Sequence, residues 1–215
     1  MDDGALAELV DREAIFALVR LERYWRDSGE WEKLADAYVE DSWIRTTWFE
    51  GNGRDFTEAS RVMAERGRHS KHPIAPIWAR INGDRALVES NAEIQNRSVI
   101  EGVEVDTVQY CRFFSRVRRT DAGWKLVSFE GIYTKDTIVP TNPADRLPLD
   151  WDALSKLRPS YRIWAQLMAL RGYEVSQEKI GDDRPDLLEA FYGHAEHWLE
   201  TGENRDLGPD ATGTA

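Results

Sequence analysis

Residues 74–134 read IAPIWARINGDRALVESNAEIQNRSVIEGVEVDTVQYCRFFSRVRRTDAGWKLVSFEGIYT. Segments rich in β-branched and aromatic residues alternate here with Asn, Asp and Gly, which favour tight turns. The pattern predicts four β-strands over residues 74–81, 85–99, 105–119 and 124–134, with turns at residues 82–84, 101–102 and 121–123. Long consecutive strands joined by such short turns pair antiparallel.

Helical patterns precede these strands. Apolar residues recur at helical spacing over residues 11–29 and 30–38, and a third helix fits residues 55–66. One further strand is predicted at residues 42–50, SWIRTTWFE, before the turn Gly51-Asn52-Gly53. Helices gathered at the front of the chain must cover one face of the sheet. The predicted fold class is α+β, a cone-shaped half-barrel of antiparallel strands wrapped by N-terminal helices, with a C-terminal helical extension.

The chain changes character after the last predicted strand. Residues 140–150, PTNPADRLPLD, contain three prolines and predict an irregular connector. Helices are predicted at about residues 160–171 and from about 183 to Gly202, which ends the second one. This gives a cone over residues 1–140, a helical extension over residues 141–202 and a disordered tail over residues 203–215. The extension is expected either to cover the pocket as a lid or to form an oligomer contact.

Bulk composition excludes several classes of protein. The 215 residues suffice for one core, and the only cysteine, Cys111, cannot form an intramolecular disulfide, so a cytoplasmic location is expected. The N-terminus lacks the features of a secretory signal, and no apolar run is long enough to span a membrane. A net charge of -11 argues against nucleic acid as a partner. Nine tryptophans indicate either an aromatic core or an aromatic-lined pocket.

Several local strings resemble the SnoaL-like branch of the NTF2-like superfamily. They are DREAI (residues 11–15), DSGEWEKLADAYVEDSW (27–43), HPIAPIWARINGDRAL (72–87) and RRTDAGWKL (118–126). The resemblance implies a curved sheet that forms a cone with a mostly apolar pocket at its open mouth. The family includes scytalone dehydratase, bile acid dehydratase, lindane dehydrochlorinase, polyketide cyclases and steroid isomerases. It also contains proteins that are not enzymes, so the fold alone does not determine function.

The resemblance also suggests a catalytic pair. Dehydratase and dehydrochlorinase members use an Asp near the end of the first helix with a His just before a strand, and Asp27 and His72 occupy these positions. Histidine can transfer protons near neutral pH, and a neighbouring carboxylate orients the ring and stabilises the imidazolium. The competing interpretations are a helix-ending turn for Asp27 and an ordinary loop residue for His72. His69 is a rival for the role of base.

Further residues are predicted around this pair. Tyr24, three residues before Asp27, is a candidate electrophile, or alternatively a core tyrosine. Strand alternation places Ser90 and Asn96 on the pocket face, the family resemblance suggests Tyr133, and three tryptophans could form the pocket floor. The charged face of the same strand is expected to face solvent or a sister subunit, with Glu93 as a minority candidate for the site. The predicted substrate-binding residues are Trp43, Trp48, Trp78, Ser90, Asn96 and Tyr133.

Asn96 falls where scytalone dehydratase has its second histidine, so a mechanism that uses two histidines is not expected. His194 and His197 are spare candidates if the last helix covers the pocket. The Asp and His residues form no three-ligand motif, and no glycine-rich phosphate fingerprint follows a strand, so neither a metal nor a cofactor is expected.

These observations predict a cofactor-independent lyase that acts on a hydrophobic, aromatic or polycyclic small molecule, as in aromatic compound catabolism. The reaction would be a dehydratase-type elimination or a related C–C or C–X cleavage, with water as the expected leaving group and formaldehyde or halide as alternatives. His72 would transfer the proton, and Asp27 would orient the His72 ring. The alternatives are an isomerase or cyclase that uses the same pocket, and a non-catalytic binding protein in which Asp27 and His72 do not converge. A homodimer or homotrimer is expected.

Overall fold

A computed structural model describes residues 3–208. Helices occupy both ends of this part of the chain, and the strands lie between them. The helices are α1 (Asp3–Ser28), α2 (Trp31–Asp36), α3 (Gly53–Glu65), α4 (Trp151–Leu154), α5 (Arg162–Leu170) and α6 (Pro185–Thr201). The strands are β1 (Tyr38–Arg45), β2 (Glu50–Gly51), β3 (Ser70–Lys71), β4 (Ile74–Asn82), β5 (Arg85–Ile100), β6 (Val103–Thr120) and β7 (Gly123–Pro140).

The strands form one curved, unclosed sheet in the order β2-β1-β7-β6-β5-β3, and β4 also pairs with β5. The four long strands predicted from the sequence, β4 to β7, pair antiparallel as expected. β1 is an exception, because it runs parallel to β7. The α+β fold with helices at the front of the chain and a curved sheet is therefore confirmed. Within residues 3–208, no helix is both long and apolar enough to cross a membrane.

The first strand begins and ends earlier than predicted. β1 covers Tyr38–Arg45 instead of residues 42–50. The hydroxyl of Thr46 accepts hydrogen bonds from the backbone N–H groups of Trp48 and Phe49, at 3.4 and 3.1 Å. These bonds fold residues 46–49 into a turn, so aromatic and β-branched residues that favour a strand instead lie in a loop.

The two faces of the sheet carry separate cores. On the concave face, α1, α3 and α5 pack against the sheet around residues such as Ile15, Phe56 and Phe129. On the convex face, α6 packs Phe191 against Phe114 of β6, with ring centroids 5.0 Å apart. The two halves of the C-terminal extension thus cover opposite faces of the sheet.

Helix α6 covers charged residues on the convex face of the sheet. The sequence predicted that the charged side of β5 faces solvent or another subunit. Glu89 is instead buried, forms an ion pair with Arg112 at 2.6 Å and accepts a hydrogen bond from Tyr192 of α6 at 3.1 Å. This part of the strand is therefore an internal surface beneath α6.

A buried arginine anchors the segment that follows α6. Arg116 of β6 is 0% exposed, and its guanidinium donates to Asp206 at 2.9 and 3.0 Å and to Asn204 at 3.1 Å. Both partners lie in the tail that was predicted to be disordered from residue 203 onward. Residues 203–208 thus contribute contacts to the fold, and residues 209–215 lie outside the described part of the chain.

Replacing Asp206 with alanine is expected to lower the free energy of unfolding by about 3 kcal/mol, because the Arg116 guanidinium would remain buried without its carboxylate partner. Urea denaturation of the wild type and the variant measures this difference. Glu203→Ala removes an exposed acid from the same segment and should cost less than about 0.5 kcal/mol. Equal stability of the two variants would show that Asp206 does not compensate Arg116.

Candidate functional site

The last turn of α1 places Asp27 at the mouth of the cone. Gly29 adopts a positive φ of 75°, and the N–H of Glu30 donates to the carbonyl of Trp25 at 2.9 Å, a bond typical of a helix C-terminus. The Asp-Ser-Gly sequence therefore does end the helix. This role does not exclude a functional one, because the Asp27 carboxylate is directed toward the segment that carries His72.

His72 is held at the sheet edge opposite α1. It lies between the short strand β3 and strand β4, and both pair with β5, through Ser70↔Asn96 on one side and Ile74↔Ala92 on the other. The backbone on either side of the histidine is therefore fixed by the sheet, so the position of its ring does not depend on a free loop.

Asp27 holds His72 through two hydrogen bonds. Its Oδ2 accepts from the backbone N–H of His72 at 2.6 Å, and its Oδ1 lies 2.6 Å from the Nδ1 ring atom. An ionised carboxylate can only accept, so Nδ1 carries the hydrogen of the neutral ring and Nε2 carries the lone pair. Among residues 3–208 no hydrogen-bond partner occupies Nε2. This is the tautomer that a general base requires.

Burial keeps this histidine neutral. The His72 side chain is only 5% exposed, and burial lowers its pKa to about 4. The hydrogen bond to Asp27 opposes this shift, whereas the charges of Arg26 and Arg23 add to it. Burial alone would raise the pKa of Asp27, but the hydrogen bonds from His72 and the charge of Arg26 hold it below its ordinary value. The stable state at neutral pH is a carboxylate beside a neutral imidazole.

These shifts predict the pH dependence of any reaction in which His72 acts as base. An ordinary histidine loses its basic form below a pH of about 6.5. Because the pKa of His72 is about 4, kcat/KM should stay level down to about pH 5 and then fall as the ring is protonated near pH 4. A pH–rate profile, with circular dichroism to verify folding, measures this. A fall in kcat/KM with its midpoint near pH 6.5 would contradict the assignment of the buried His72 as the base.

His72 opens into a partly enclosed cavity of about 230 Å³. The walls come from α1, the turn at residues 46–49, α3, the loop before β3, the C-terminal part of β5, the middle of β6 and β7, and α5. The aromatic part of the lining consists of Trp48, Phe56, Phe113, Phe129, Tyr133 and Trp164. Phe113 and Phe129 form an edge-to-face pair with centroids 4.8 Å apart, and the His72 ring lies 6.0 Å from Phe113. The arrangement suits a small flat ring next to the base.

The structure brings some of the predicted residues together. His72, Trp48, Asn96 and Tyr133 line the cavity, and Asp27 lies behind His72. Asn96 has a free donor in this lining: its Oδ1 accepts from the Ser70 hydroxyl, whereas its buried Nδ2 has no hydrogen-bond partner among the described residues. A buried donor without a partner is costly unless an acceptor completes it.

The structure places the candidate electrophile Tyr24 and the other histidines differently with respect to the cavity. Tyr24 is 59% exposed and does not line the cavity, because the helix face that carries Val19, Arg23 and Asp27 turns inward and leaves Tyr24 toward solvent. His69, the rival base, does line the cavity but has no hydrogen bond to Asp27. The other two histidines are remote from the cavity: His194 and His197 lie on α6 at the convex face.

Three other predicted contacts also lie outside the cavity. Trp43 is next to Ile44, which packs in the concave core, so strand alternation points Trp43 the other way. Trp78 packs on the convex face against Phe114, because a register shift in β4 places it opposite Glu89. Ser90 is buried farther along β5, away from the end that lines the cavity. The minority candidate, Glu93, is outside the cavity lining and accepts a hydrogen bond from Gln95.

Two buried arginines of α1 also belong to the cavity and were not among the predicted residues. Arg23 is 2% exposed, bonds to Glu22 and stacks over Phe129 at 4.1 Å from the ring centroid. Arg26 also lines the cavity, 3.6 Å from Asp27. Charged residues in a helix are usually solvent-exposed, and the only signal available was that Arg23 lies four residues from both Val19 and Asp27.

The C-terminal extension contributes to the site as well. Trp164 and Arg171 line the cavity, and Trp164 donates from Nε1 to the Thr47 hydroxyl at 2.9 Å. The backbone N–H of Trp164 donates to Asp136 of β7 at 2.9 Å. α5 therefore closes one side of the cavity, one of the two roles expected for the extension.

Comparisons with known proteins agree with this architecture. A PEP2-like protein of Fusarium vanettenii is 30% identical over 196 residues, covering 85% of this chain and 82% of the relative. Pea pathogenicity protein 2 of the same fungus is 28% identical over 189 residues, covering 82% and 80%. The similarity to both extends beyond the cone into the C-terminal extension.

A solved structure shares the fold. A function-unknown protein from Mycobacterium tuberculosis superposes with a TM-score of 0.51 at 15% identity, covering 79% of this chain and 98% of that one. A protein from Novosphingobium aromaticivorans that bears the provisional name scytalone dehydratase has a TM-score of 0.48 at 25% identity, covering 68% and 99%. The SnoaL-like domain family matches residues 7–130, more than half of the sequence. The chain therefore belongs to the SnoaL-like domain family.

Proposed function

We propose that this protein is a cofactor-independent lyase that eliminates water from a small ring-containing molecule. The observation that carries the proposal is the geometry of His72: Asp27 holds Nδ1 at 2.6 Å, and Nε2 has no hydrogen-bond partner among residues 3–208, in a cavity with aromatic walls. Asp and His in these positions are the pair used by the dehydratase and dehydrochlorinase members of the family. A non-catalytic binding protein would not need this tautomer.

Elimination can be written with these residues alone. Nε2 of His72 takes a proton from the carbon next to a substrate carbonyl, and the electrons of that C–H bond form the new C=C bond as the C–O bond to the hydroxyl breaks. The imidazolium then returns its proton to the departing hydroxyl, which leaves as water. The Asp27 carboxylate stabilises the transient imidazolium. The Asn96 amide, whose Nδ2 is unpaired, is suited to donate to the carbonyl oxygen as negative charge develops there.

The cavity favours a flat substrate of one or two rings. Its volume of about 230 Å³ is below the range of about 300–1,000 Å³ typical of sites for drug-sized ligands. Phe113 and Phe129 form one wall, and Trp48 and Trp164 lie among the other lining residues. Aromatic walls of this kind bind rings by stacking and by excluding water.

A fused-ring β-hydroxy ketone tests this proposal. Dehydration of 3-hydroxy-1-tetralone yields 1-naphthol, whose fluorescence follows the reaction continuously. Wild-type protein should accelerate this reaction, and His72→Asn should not. A wider set of ring β-hydroxy ketones, with the products separated by chromatography, covers differences in ring substitution. If the wild type and His72→Asn behave alike with every member of the set, the lyase proposal is contradicted.

A further inference from the structure

The cavity is strongly cationic in a protein of net charge -11. Five arginines line it, whereas none of its lining residues within the described part of the chain is Asp or Glu. The arginines are Arg23, Arg26, Arg68, Arg97 and Arg171. An excess of one charge inside a concave site concentrates ligands of the opposite charge.

Two of these arginines are neutralised by the protein itself. Arg23 forms a buried ion pair with Glu22, and Arg97 makes two hydrogen bonds of 2.7 Å to Asp106. Their positive charges are therefore compensated and do not require a ligand.

Arg26 is compensated only in part. Its side chain is 9% exposed, and its nearest carboxylate, Asp27 at 3.6 Å, is already engaged by two hydrogen bonds from His72. Its Nε is buried and has no hydrogen-bond partner among the described residues. Burial and the neighbouring Arg23 lower the pKa of Arg26 to about 10, which still leaves it cationic at neutral pH. A buried cation with an unpaired donor is costly unless an anion completes it.

Arg68 and Arg171 lack carboxylate partners within residues 3–208. Arg68 reaches only the Tyr173 hydroxyl, at 3.4 Å, and Arg171 lies over the Trp164 ring, 5.8 Å from its centroid. Burial and the charge of Arg68 together lower the pKa of Arg171. The two guanidinium groups thus repel each other on one side of the cavity, an arrangement that a bound anion would relieve.

We propose that the cavity binds a ring compound that carries an oxyanion, such as a carboxylate, with Arg68 and Arg171 binding the oxyanion and Arg26 supplying positive charge deeper in the site. The ring would lie against Phe113 and Phe129, next to His72. This oxyanion would define the substrate class of the proposed lyase. The binding site rests on the proposed function only in that both are assigned to the same cavity. Guanidinium groups pair with carboxylates and phosphates through two parallel hydrogen bonds, which makes this class of ligand specific.

Equilibrium binding separates this inference from the lyase proposal. Isothermal titration calorimetry would compare 2-naphthoate and 2-naphthyl phosphate with the neutral 2-naphthamide. Wild-type protein should bind at least one of the anions about tenfold or more tightly than the amide. The tighter anion identifies the oxyanion that the site prefers. His72→Asn, which removes the proposed base, should keep this preference.

Matched glutamine variants locate the site. Arg68→Gln and Arg171→Gln should each reduce the preference for the anion by about tenfold, while the affinity for 2-naphthamide stays close to that of the wild type. Arg61→Gln is the control, because Arg61 is paired with Glu58 and Glu65 on α3 and does not line the cavity. Unchanged amide binding also verifies that each variant is folded.

Two results would overturn the inference. One is equal affinity for the anions and the amide, or no anion binding up to the solubility limit. The other is a preference that survives in the double variant Arg68→Gln/Arg171→Gln. A protein that prefers the anions but dehydrates none of the ketones would support the oxyanion site and contradict the lyase. Dehydration of a ketone without any preference for anions would support the lyase and contradict the oxyanion site.

Discussion

His72→Asn is expected to lower kcat by about 10³- to 10⁴-fold at neutral pH, toward the upper end of what a general base contributes. Asparagine is similar in size, and it cannot accept a proton in the relevant pH range. The cavity walls and the arginines remain in place, so KM should change by less than about tenfold. Steady-state kinetics with any ketone that the wild type dehydrates measures both constants.

His69→Asn is the matched control for this experiment. His69 lines the same cavity but has no hydrogen bond to Asp27, so its loss should change kcat by less than about tenfold. The opposite outcome, in which His69→Asn is inactive and His72→Asn retains activity, would transfer the role of base to His69. Thermal unfolding of both variants would verify that the change in kcat does not arise from loss of the fold.

Asp27→Asn is expected to lower kcat by about 10³-fold, although the substituted side chain has the same shape. The carboxylate accepts two hydrogen bonds, one from the backbone and one from Nδ1 of His72. An amide can instead donate to Nδ1, and the ring would then carry its hydrogen on Nε2 and lose its lone pair toward the cavity. The variant also loses the negative charge that stabilises the imidazolium.

The pH profile distinguishes this role from a structural one. The hydrogen bond and the charge of Asp27 raise the pKa of His72 against the effect of burial. In Asp27→Asn the pKa of His72 should therefore be lower, and the residual activity should fall at a lower pH than the activity of the wild type. Asp36→Asn, which removes an exposed carboxylate paired with Lys125 at 2.7 Å, should leave the rate unchanged. An active Asp27→Asn variant with an unaltered acid limb would show that Asp27 does not act on His72.

The features that could be predicted from the sequence are those set by local patterns. The four long strands follow from β-branched segments separated by turn residues, and the end of α1 follows from Asp27-Ser28-Gly29. The family resemblance supplied the pairing of Asp27 with His72, which are 45 residues apart and share no local pattern. Their contact depends on the packing of α1 beside the strands β3 to β5.

The features that were missed depend on long-range packing. Arg26 resembles a solvent-exposed helical residue, and its burial results from the curvature of the sheet around α1. Trp78 was assigned to the pocket by its aromatic character, but the register shift between Pro76 and Trp78 reverses the direction of its side chain. Arg116 lies in the basic run RVRRT (residues 116–120), a pattern typical of a solvated strand end, yet it is buried by α6 and Asp206. A single sequence gives no signal for such contacts.

The protonation state of His72 provides the most direct test of the account. Long-range ¹H–¹⁵N NMR resolves both ring nitrogens of each of the four histidines, and comparison with His72→Asn assigns the signals of His72. From about pH 8 down to about pH 5.5, we expect Nδ1 to be protonated and Nε2 to be unprotonated. An imidazolium at neutral pH, or a neutral ring with its hydrogen on Nε2, would contradict the assignment of His72 as a base oriented by Asp27.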